Sequence, residues 1–344
     1  MSEPESRSNH CITSAREYLI IYGGQSEISL QVLKELWTYN TLGGIWKRYQ
    51  IPTEITIGYL GSSVCSVDNT VYIFGGSSTA TEDRVTNSLI SFNVRNHTWQ
   101  TLSPHIDDFD ENTLPPLIYS WIFYHNKSIY ILGGIFDDDL IITMYKFCLN
   151  TSTWSVVEQN GVEPFPLTRM YGTVFKNQFC TFSGRAENVL NRFMVINIFD
   201  LSTNTWSKKE TKSNTQEYPD DRDEESYAFS KNVVYLSGGQ SGRTSYTDIW
   251  KFDFENLEWC KLDYTLQKGM YIHSTSVVDD TYLYSYNAEP NKEYITHLLE
   301  RFTIRPPTLY RQCLEKISIS PNLRDCISSL PTAIADELNF HNTD

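Results

Sequence analysis

The chain alternates short runs of β-branched and aromatic residues with polar turns, and this alternation repeats along most of its length. Residues 232–262 show one unit clearly. It has a run that ends at Gly238-Gly239, a polar loop, a second run through Phe252, and then Trp259. Runs of this length and composition, bounded by glycine and turn-forming residues, predict β-strands. Each unit therefore predicts a small sheet of four short strands.

This unit occurs five times, and its landmarks keep a regular spacing. In every unit an aromatic residue precedes a tryptophan by seven positions, and successive tryptophans are 52 to 55 residues apart. The five pairs are Tyr39–Trp46, Phe92–Trp99, Phe147–Trp154, Phe199–Trp206 and Phe252–Trp259. The small residues that precede them are Gly23-Gly24, Gly75-Gly76, Gly133-Gly134, Ser183-Gly184 and Gly238-Gly239. A repeat of about 50 residues with these landmarks is typical of a kelch β-propeller blade.

Physical reasons support this interpretation. Glycine lets the backbone turn with positive φ where neighbouring blades crowd together, and tryptophan is large enough to fill the wedge between two blades. A single blade cannot bury its own face, so the units are expected to stack into a closed ring. A sixth unit, from His273 to Ile304, has neither the glycine pair nor the tryptophan. We therefore predict an all-β, six-bladed propeller over residues 18–304 with a degenerate sixth blade, preceded by a polar lead at 1–17.

Residues 305–344 differ in composition and predict a short helical tail. A double proline at 306–307 ends the last strand, Thr308 is a suitable N-cap, and Pro321 ends the first helix. Three residues recur at every fourth position and so lie on one face of that helix: Leu309, Cys313 and Ile317.

The bulk composition argues against several classes of protein. A net charge of −14 disfavours non-specific binding to nucleic acid or to an anionic membrane. The sequence has no run of 18 apolar residues, and its polar start does not resemble a signal peptide. Its seven cysteines are scattered without a CxxC pair, so we expect reduced thiols, no metal site and a cytoplasmic or nuclear location. Nucleotide-binding, metalloprotease, esterase and EF-hand motifs are absent, and no cofactor or catalytic residue is predicted.

The tail carries two segments that resemble known interaction motifs. Residues 308–317 resemble the elongin-binding box of ubiquitin-ligase substrate receptors, and the matching positions are Leu309, Cys313 and Ile317. In that box a leucine enters a pocket on elongin C, and the small cysteine lets the helix sit close. Residues 330–334 resemble the cullin-2 box, and the matching positions are Leu330, Pro331 and Ile334. The two motifs together, directly after a propeller, are fairly specific.

The resemblance extends over nearly the whole chain. The chain is similar to the kelch-domain-containing substrate receptors of cullin-2 RING ubiquitin ligases, above all to the member that recognises substrates ending in glycine. Residues 183–186 and 248–252 resemble that family's Gly-Gly-Arg-Ala and Asp-Leu-Trp-Lys-Phe segments. The resemblance implies a non-catalytic receptor whose propeller captures the C-terminal degron of a protein substrate. It also implies that the tail recruits elongins B and C, cullin-2 and its RING subunit, which direct the substrate to ubiquitination and degradation.

A pocket for a C-terminal carboxylate needs positively charged donors, and arginine offers both charge and bidentate geometry. Arg185 stands where the family has its carboxylate-binding arginine, and Arg243 occupies the same loop of blade five. Other candidates are two arginines in loops that lead into blades and two aromatic residues that would wall the pocket. The full candidate set is Arg185, Arg243, Arg169, Arg222, Trp121 and Tyr171.

Three alternatives stay open at this point. Glu224 and Glu225 lie near the expected pocket, and their charge would favour a basic residue upstream of the substrate's end. A kelch interaction scaffold, for example an actin-binding one, would leave the tail motifs unexplained. A kelch-fold enzyme would need a metal-ligand or acid–base constellation, and the seven histidines show no ligand spacing.

Overall fold

Six small sheets arranged around a central axis form a six-bladed β-propeller, as the sequence predicts, and a short helical tail follows it. The computed structural model describes residues 3–81, 84–109, 113–164, 170–182, 191–269, 273–288, 297–324 and 327–339. The blades follow one another in chain order, and the first strand of each blade faces the axis.

The first five blades each contain four antiparallel strands. In order from the axis outward, these strands are Cys11–Ala15, Tyr18–Tyr22, Glu35–Asn40 and Ile45–Gln50 in blade one; Ser63–Val67, Thr70–Phe74, Leu89–Asn93 and Thr98–Ser103 in blade two; Trp121–His125, Ser128–Leu132, Met144–Cys148 and Thr153–Val157 in blade three; Gly172–Phe175, Gln178–Thr181, Val195–Asp200 and Thr205–Glu210 in blade four; and Ser226–Ser230, Val233–Ser237, Asp248–Asp253 and Glu258–Thr265 in blade five. Blade six has three strands in the described part of the chain: Ser274–Val278, Tyr282–Ala288 and His297–Thr303.

Several two-residue strands extend this framework. Two of them add a parallel edge to the outer strands of blades four and five: Asn160–Gly161 and Lys212–Ser213. Others form small ladders on the face where the chain leads into the blades: Arg7–Ser8 with Gln25–Ser26, Ile135–Phe136 with Asp139–Leu140, and Gln240–Ser241 with Thr244–Ser245. A single 3₁₀ turn, Arg192–Met194, leads into the third strand of blade four.

The apolar core lies between the blades. A cluster of buried apolar side chains fills each of the six interfaces between neighbouring blades, including the one between blades six and one. The second strand of a blade is covered on both faces, and Tyr18–Tyr22 and Val233–Ser237 are buried at every position. Such strands appear in the sequence as continuous apolar runs rather than as an alternating pattern.

The seven-residue spacing places each aromatic residue directly opposite its tryptophan. In all five four-stranded blades the two residues are cross-strand partners, with ring centroids 4.7 to 5.0 Å apart. The tryptophan faces the preceding blade: Trp259 Nε1 donates to the Phe193 carbonyl of blade four at 2.9 Å, and Trp154 Nε1 donates to Ser103 Oγ of blade two at 2.9 Å. The predicted role of tryptophan in the wedge between blades is confirmed at these positions.

The glycine pairs turn the chain where the next blade's incoming segment presses against it. Gly23 has φ of +62°, and a Cβ there would lie 2.2 Å from the Tyr59 carbonyl oxygen. Gly24 donates its backbone N–H to the same oxygen at 2.8 Å. Gly75 shows the same arrangement one blade later, because its Cβ would lie 2.4 Å from the Leu117 carbonyl oxygen. The expected need for positive φ and close approach is confirmed.

Blade one begins earlier in the chain than predicted. We expected a polar lead up to residue 17, but Cys11–Ala15 is the axial strand of blade one. This strand contains threonine and serine because it lines the axis, so its polarity hid it from the hydrophobic pattern. It also closes the ring, because Ser14 Oγ donates to the Val277 carbonyl of blade six at 2.6 Å.

The tail consists of helices α1 (Leu309–Ile319), α2 (Pro321–Arg324) and α3 (Thr332–Asn339), with a 3₁₀ turn at Ile327–Ser329. The predicted cap is confirmed, because Thr308 Oγ1 accepts the backbone N–H of Arg311 at 3.1 Å. The tail packs on blade one through an apolar cluster made of Leu42, Leu314, Ile327, Ala335 and Leu338. No helix in the described part of the chain has the length and hydrophobicity to cross a membrane.

Candidate functional site

The six axial strands surround a central channel, and one end of it forms a concave mouth. A cavity of about 130 Å³ occupies this mouth, on the face where the chain leads into each blade. All six blades contribute to its wall, through residues 9–12, 61–64, 119–121, 170–171, 226–227 and 273–275. A second cavity of about 540 Å³ continues between the same strands toward the opposite face. The mouth is therefore the place where the whole ring presents side chains to one ligand.

Aromatic side chains form one wall of the mouth. The Trp121 ring lies 5.4 Å from Tyr171 and 5.8 Å from Phe229, and Tyr171 lies 4.9 Å from Tyr227. Trp121 Nε1 donates to the Gly172 carbonyl at 2.8 Å, which fixes the indole across blades three and four. The structure thus brings the two candidate aromatic residues together in the cavity wall, and their contact with a substrate stays a prediction.

Sequence reasoning missed Tyr227, which lies between the other rings. It is buried, and burial raises the pKa of its hydroxyl well above the usual value, so the phenol stays neutral. The available signal was its position in the repeat: Tyr227 follows Ser226 at the start of an axial strand, as Ile12 follows Cys11 in blade one. Axial strands line the channel, so an aromatic residue there belongs to its wall.

The rest of the mouth is lined by small hydroxyl-bearing residues that also join the blades. Ser63 Oγ donates to the Ser120 carbonyl at 2.5 Å, which links blades two and three. Ser226 Oγ and Thr275 Oγ1 lie 2.9 Å apart, which links blades five and six. These contacts hold the mouth in a fixed shape without any formal charge.

His273 adds a neutral imidazole to this lining. It is buried, its Nε2 lies 3.0 Å from Ser237 Oγ, and burial lowers the pKa of the ring to about 4. Its Nδ1 is buried and has no hydrogen-bond partner in the described structure. His273, the first residue of the predicted sixth unit, therefore supplies a hydrogen-bonding group to the cavity wall.

Arg222 requires a correction, because it is a structural residue rather than part of the pocket. Its side chain is fully buried, donates from Nη1 to the Gly238 carbonyl at 3.1 Å, and pairs with both carboxylate oxygens of Asp248. Burial alone raises the pKa of Asp248, but the hydrogen bond and charge of Arg222 outweigh it and hold the pKa below its usual value. Trp250 Nε1 donates to the same carboxylate at 2.7 Å.

Blade one contains the same arrangement, which shows that it belongs to the repeat. Arg7 is fully buried, donates to the Gly23 carbonyl at 3.0 Å and pairs with Glu35 Oε1 at 2.7 Å. Trp37 Nε1 donates to that carboxylate oxygen at 2.7 Å. In both blades the arginine precedes the glycine whose carbonyl it binds by 16 residues. An arginine at this position ties the incoming loop to the glycine turn of its own blade.

Of the three other candidate arginines, the described residues include only Arg243. Arg243 is exposed at the tip of the hairpin formed by Gln240–Ser241 and Thr244–Ser245, and it is not among the residues that line either cavity. Arg169 and Arg185 lie outside the described residues. In the part of the mouth that the structure describes, no arginine contributes to the lining.

The two glutamates near blade five also differ from expectation. Glu225 is buried and forms an ion pair with Arg192, whose Nη2 lies 2.5 Å from Glu225 Oε1. Glu224 is exposed and accepts a hydrogen bond from Gln240 Nε2 at 2.9 Å. Neither residue lines the mouth, and the charge of Glu225 is balanced by its partner.

Helix α1 of the tail has one anchored face and one open face. On the anchored face Arg311 is buried and its guanidinium contacts blade six at Asp279, blade one at Thr41 Oγ1 (2.8 Å) and the helix itself at Glu315 (2.8 Å). On the open face Leu309 is 77% exposed and Cys313 is exposed. The propeller thus fixes the direction in which Leu309 and Cys313 point.

Of the remaining candidate residues in the tail, three are partly buried and one is exposed. Ile317, Leu330 and Ile334 are partly buried and pack against the apolar cluster that joins the tail to blade one. Pro331 is exposed, and its carbonyl accepts the backbone N–H groups of Ile334 and Ala335 at 2.9 Å at the start of α3. The structure therefore gives Ile317, Leu330 and Ile334 a packing role.

The described residues include no group of three or more metal-ligating side chains. The six described cysteines form no disulfide among themselves. The arrangement of the site is that of a rigid, neutral, partly aromatic pocket, which can bind a ligand by shape and hydrogen bonding.

Comparison with known proteins gives the family. The sequence profile of the KLHDC2/KLHL20/DRC7 Kelch-repeats domain matches residues 1–184 and 120–300, which covers most of the chain. The chain belongs to this family of kelch-repeat domains. Its fold is therefore that of a kelch propeller, a fold that typically serves as a non-catalytic domain for protein interaction.

Individual relatives are similar to most of this chain at low identity. Kelch domain-containing protein 10 of Rattus norvegicus is 25% identical over 93% of this chain and 81% of its own length. Kelch domain-containing protein 2 of Bos taurus is 23% identical over 91% of this chain and 85% of its own length. Host cell factor 2 of Homo sapiens is 25% identical over 75% of this chain but only 35% of its own length.

Proposed function

We propose that the protein is a substrate receptor of a cullin-2 RING ubiquitin ligase. In this proposal the mouth of the channel binds the C-terminal peptide of a protein substrate, and the tail binds elongin C, with elongin B, and cullin-2. The protein performs no chemistry itself and presents its substrate to a ubiquitin-charged partner in the cytoplasm or nucleus.

The observation that carries the proposal is the two-sided character of α1. An amphipathic helix that only packs on a propeller would bury its large apolar residues, yet Leu309 is 77% exposed. Cys313 follows it one turn later on the same open face. Meanwhile the buried Arg311 holds the opposite face on blades one and six. A rigidly held helix with an exposed leucine and a small neighbour suits insertion into an apolar pocket of a partner.

The test is co-purification of the full chain with elongins B and C. We expect the wild type to form a stable complex and a Leu309→Ala, Cys313→Ala double variant to lose it. The matched control is Ile319→Ala on the same helix, because Ile319 is 61% exposed but lies outside the motif. No complex with the wild type, or equal loss with Ile319→Ala, would contradict the proposal and leave a kelch interaction domain with a different partner.

Binding of a substrate's C-terminus needs a cation that the described part of the mouth does not supply. We propose that Arg185 supplies it, because it follows the second strand of blade four, and that Arg243 contributes from the rim. Trp121 and Tyr171 then contact the side chains that precede the carboxylate. The neutral lining of serine, threonine and histidine suits a peptide backbone, whose groups need hydrogen bonds rather than charge.

Fluorescence anisotropy with peptides that end in glycine tests this part. We expect an Arg185→Ala variant to bind at least about tenfold more weakly, because a charge-assisted hydrogen bond is worth about 1.5–3 kcal/mol. A peptide with an amidated C-terminus should lose affinity for the wild type by a similar factor. If the free acid and the amide bind equally, the carboxylate is not the recognised group.

A further inference from the structure

In the described part of the chain, blade six shows no counterpart of the outer strand that the other five blades possess. Phe302 is the counterpart of their central aromatic residue, because it pairs with Leu283 as Phe252 pairs with Val234. In blades one to five a tryptophan of the outer strand lies directly opposite this aromatic residue. Opposite Phe302 the described structure contains no strand.

The position of the missing tryptophan is only partly filled. Phe92, Phe147, Phe199 and Phe252 are at most 1% exposed, whereas Phe302 is only partly buried. The Tyr264 ring of blade five lies 5.8 Å from Phe302, and its hydroxyl donates to the Thr303 carbonyl at 2.9 Å. Tyr264 thus contacts Phe302 from the side of blade five.

The third strand of blade six offers unpaired backbone groups to an incoming strand. Ile304 N–H points inward to the Thr281 carbonyl, whereas the Thr303 carbonyl points outward to Tyr264. The direction of backbone groups alternates along a strand, so the N–H and C=O groups of Arg301 and Leu299 also point outward. Within the described structure these outward groups have no hydrogen-bond partner. The edge is long enough to pair with a short strand.

Glu300 supplies an independent sign of a missing partner. It is 6% exposed, its Oε2 accepts the backbone N–H of Gln267 at 2.9 Å, and its Oε1 is buried with no partner in the described part of the protein. Burial raises the pKa of its carboxyl. In three of the five complete blades the outer-strand residue at the corresponding place is basic, two positions after the tryptophan: Arg48, Lys208 and Lys261.

We propose that the open edge of blade six binds an extended segment of a partner protein. The segment pairs antiparallel with His297–Thr303, places an aromatic side chain opposite Phe302, and places a basic side chain two residues later opposite Glu300. The occupant is inferred from the molecule's own repeat, because five blades show which strand completes this edge. This surface lies on the outer rim and is separate from both the channel mouth and the open face of α1.

The probe is a fluorescent peptide with the sequence of residues 202–213, which contains the outer-strand pattern Trp-Ser-Lys of blade four. We expect it to bind the full-length protein in an anisotropy titration. Replacing its tryptophan with alanine should weaken binding at least about tenfold, since an aromatic side chain buried at an interface is a typical hot spot. Replacing the first lysine of the peptide, Lys208, with glutamate should also weaken binding, through repulsion by Glu300.

Two variants at one position test the edge itself. Arg301→Pro removes an outward N–H and blocks strand pairing, whereas Arg301→Ala keeps the N–H. We expect Arg301→Ala to bind the peptide as the wild type does and Arg301→Pro to lose binding. As a control for folding, both variants should bind elongins B and C, and peptides that end in glycine, as the wild type does. Glu300→Gln should reduce the affinity for the peptide that contains Lys208. It should not change the affinity for a peptide in which Lys208 is replaced by alanine.

Three results would overturn the proposal. The first is no binding of the wild-type protein below about 1 mM peptide. The second is equal binding by Arg301→Pro and Arg301→Ala, which would place the peptide on another surface. The third is self-association: a sedimentation coefficient that rises with concentration and falls back in Arg301→Pro would mean that a second copy of the chain covers the edge.

Discussion

At the scale of single residues, the partners of a charged side chain decide its role. Arg222 and Arg243 both lie near the glycine turn of blade five, and the sequence made both of them candidates for the binding pocket. In the structure Arg222 is fully buried between the Gly238 carbonyl and Asp248, and Arg243 is exposed on a hairpin. Removing one partner of such a buried ion pair destabilises the protein, because the other charge is left unpaired in the protein interior.

Arg222→Met is therefore expected to destabilise the protein by about 3–5 kcal/mol, because Asp248 and the Gly238 carbonyl lose their partner. Arg243→Met should change the free energy of unfolding by less than about 0.5 kcal/mol. Urea denaturation of the two variants, followed by tryptophan fluorescence, provides the measurement. Equal effects would mean that Arg222 is not the structural residue that its contacts indicate.

At the scale of elements, the joint between the tail and the propeller contains a buried acidic residue. Glu17 lies in the turn after the axial strand of blade one and is 7% exposed. A cavity of about 90 Å³ separates it from Glu337 of α3, and Arg16 lines the same space. Burial raises the pKa of Glu17 to about 7; Arg16 lowers it, and the charges of Asp279 and Glu337 raise it.

This arrangement predicts a pH dependence of stability. Between pH 4.5 and 7 the folded protein keeps a proton on Glu17 that the unfolded chain releases, so the free energy of unfolding falls as the pH rises through that window. Glu17→Gln removes the effect. We expect the variant to match the wild type near pH 4.5 and to be more stable by up to about 3 kcal/mol at pH 8.

Chemical denaturation of both proteins at several pH values provides the measurement. His273 contributes a slope of the opposite sign, because its pKa is lowered to about 4 and it must charge on unfolding below its ordinary pKa of 6.5. Since both proteins contain His273, its contribution cancels in the difference between them. A difference that stays constant from pH 4.5 to 8 would contradict the role given to Glu17.

At the scale of the whole molecule, the ring closes between its least complete blade and its first. Blade six has three described strands and no tryptophan, and it meets blade one through the cluster of Leu19, Val278 and Tyr282. The N-terminal segment adds a polar contact, because the Tyr286 hydroxyl lies 3.2 Å from the Pro4 carbonyl. In the described part of the chain, the closure therefore uses side-chain packing and hydrogen bonds between blades six and one, and no outer strand is shared between the two ends.

We expect blade six to open locally before the other blades, and amide hydrogen exchange would detect this opening. Its second strand, Tyr282–Ala288, should exchange at least about tenfold faster than Val233–Ser237 of blade five, because the sheet of blade six has one strand fewer in the described structure. Mass spectrometry of peptides from the two strands provides the measurement. Uniform protection of both strands would show that the ring opens as a single cooperative unit. The peptide that completes the edge of blade six should slow exchange in His297–Thr303.

The sequence was sufficient wherever a feature is local and repeats. The sequence predicted four short strands in each unit, and all five of the tryptophan-bearing units form them. The structure adds that the aromatic residue and the tryptophan seven positions later are direct cross-strand partners in each of these blades. The N-cap at Thr308 is another local feature and is confirmed. The axial strand Cys11–Ala15 was missed because strands that line a channel are polar, and a hydrophobic pattern does not reveal them.

What the sequence by itself determined is the fold: five tryptophan-bearing units, a degenerate sixth and a helical tail can form only a closed ring, because each blade must bury its faces against neighbours. The tertiary structure alone decided which side chains share a site. Trp121 meets Tyr171 and Phe229, which are 50 and 108 positions away in the chain, only because blades three, four and five face one axis. Arg311 meets Thr41 across 270 residues only because the ring returns to its start. Such contacts depend on how the blades pack, and no local sequence pattern predicts them.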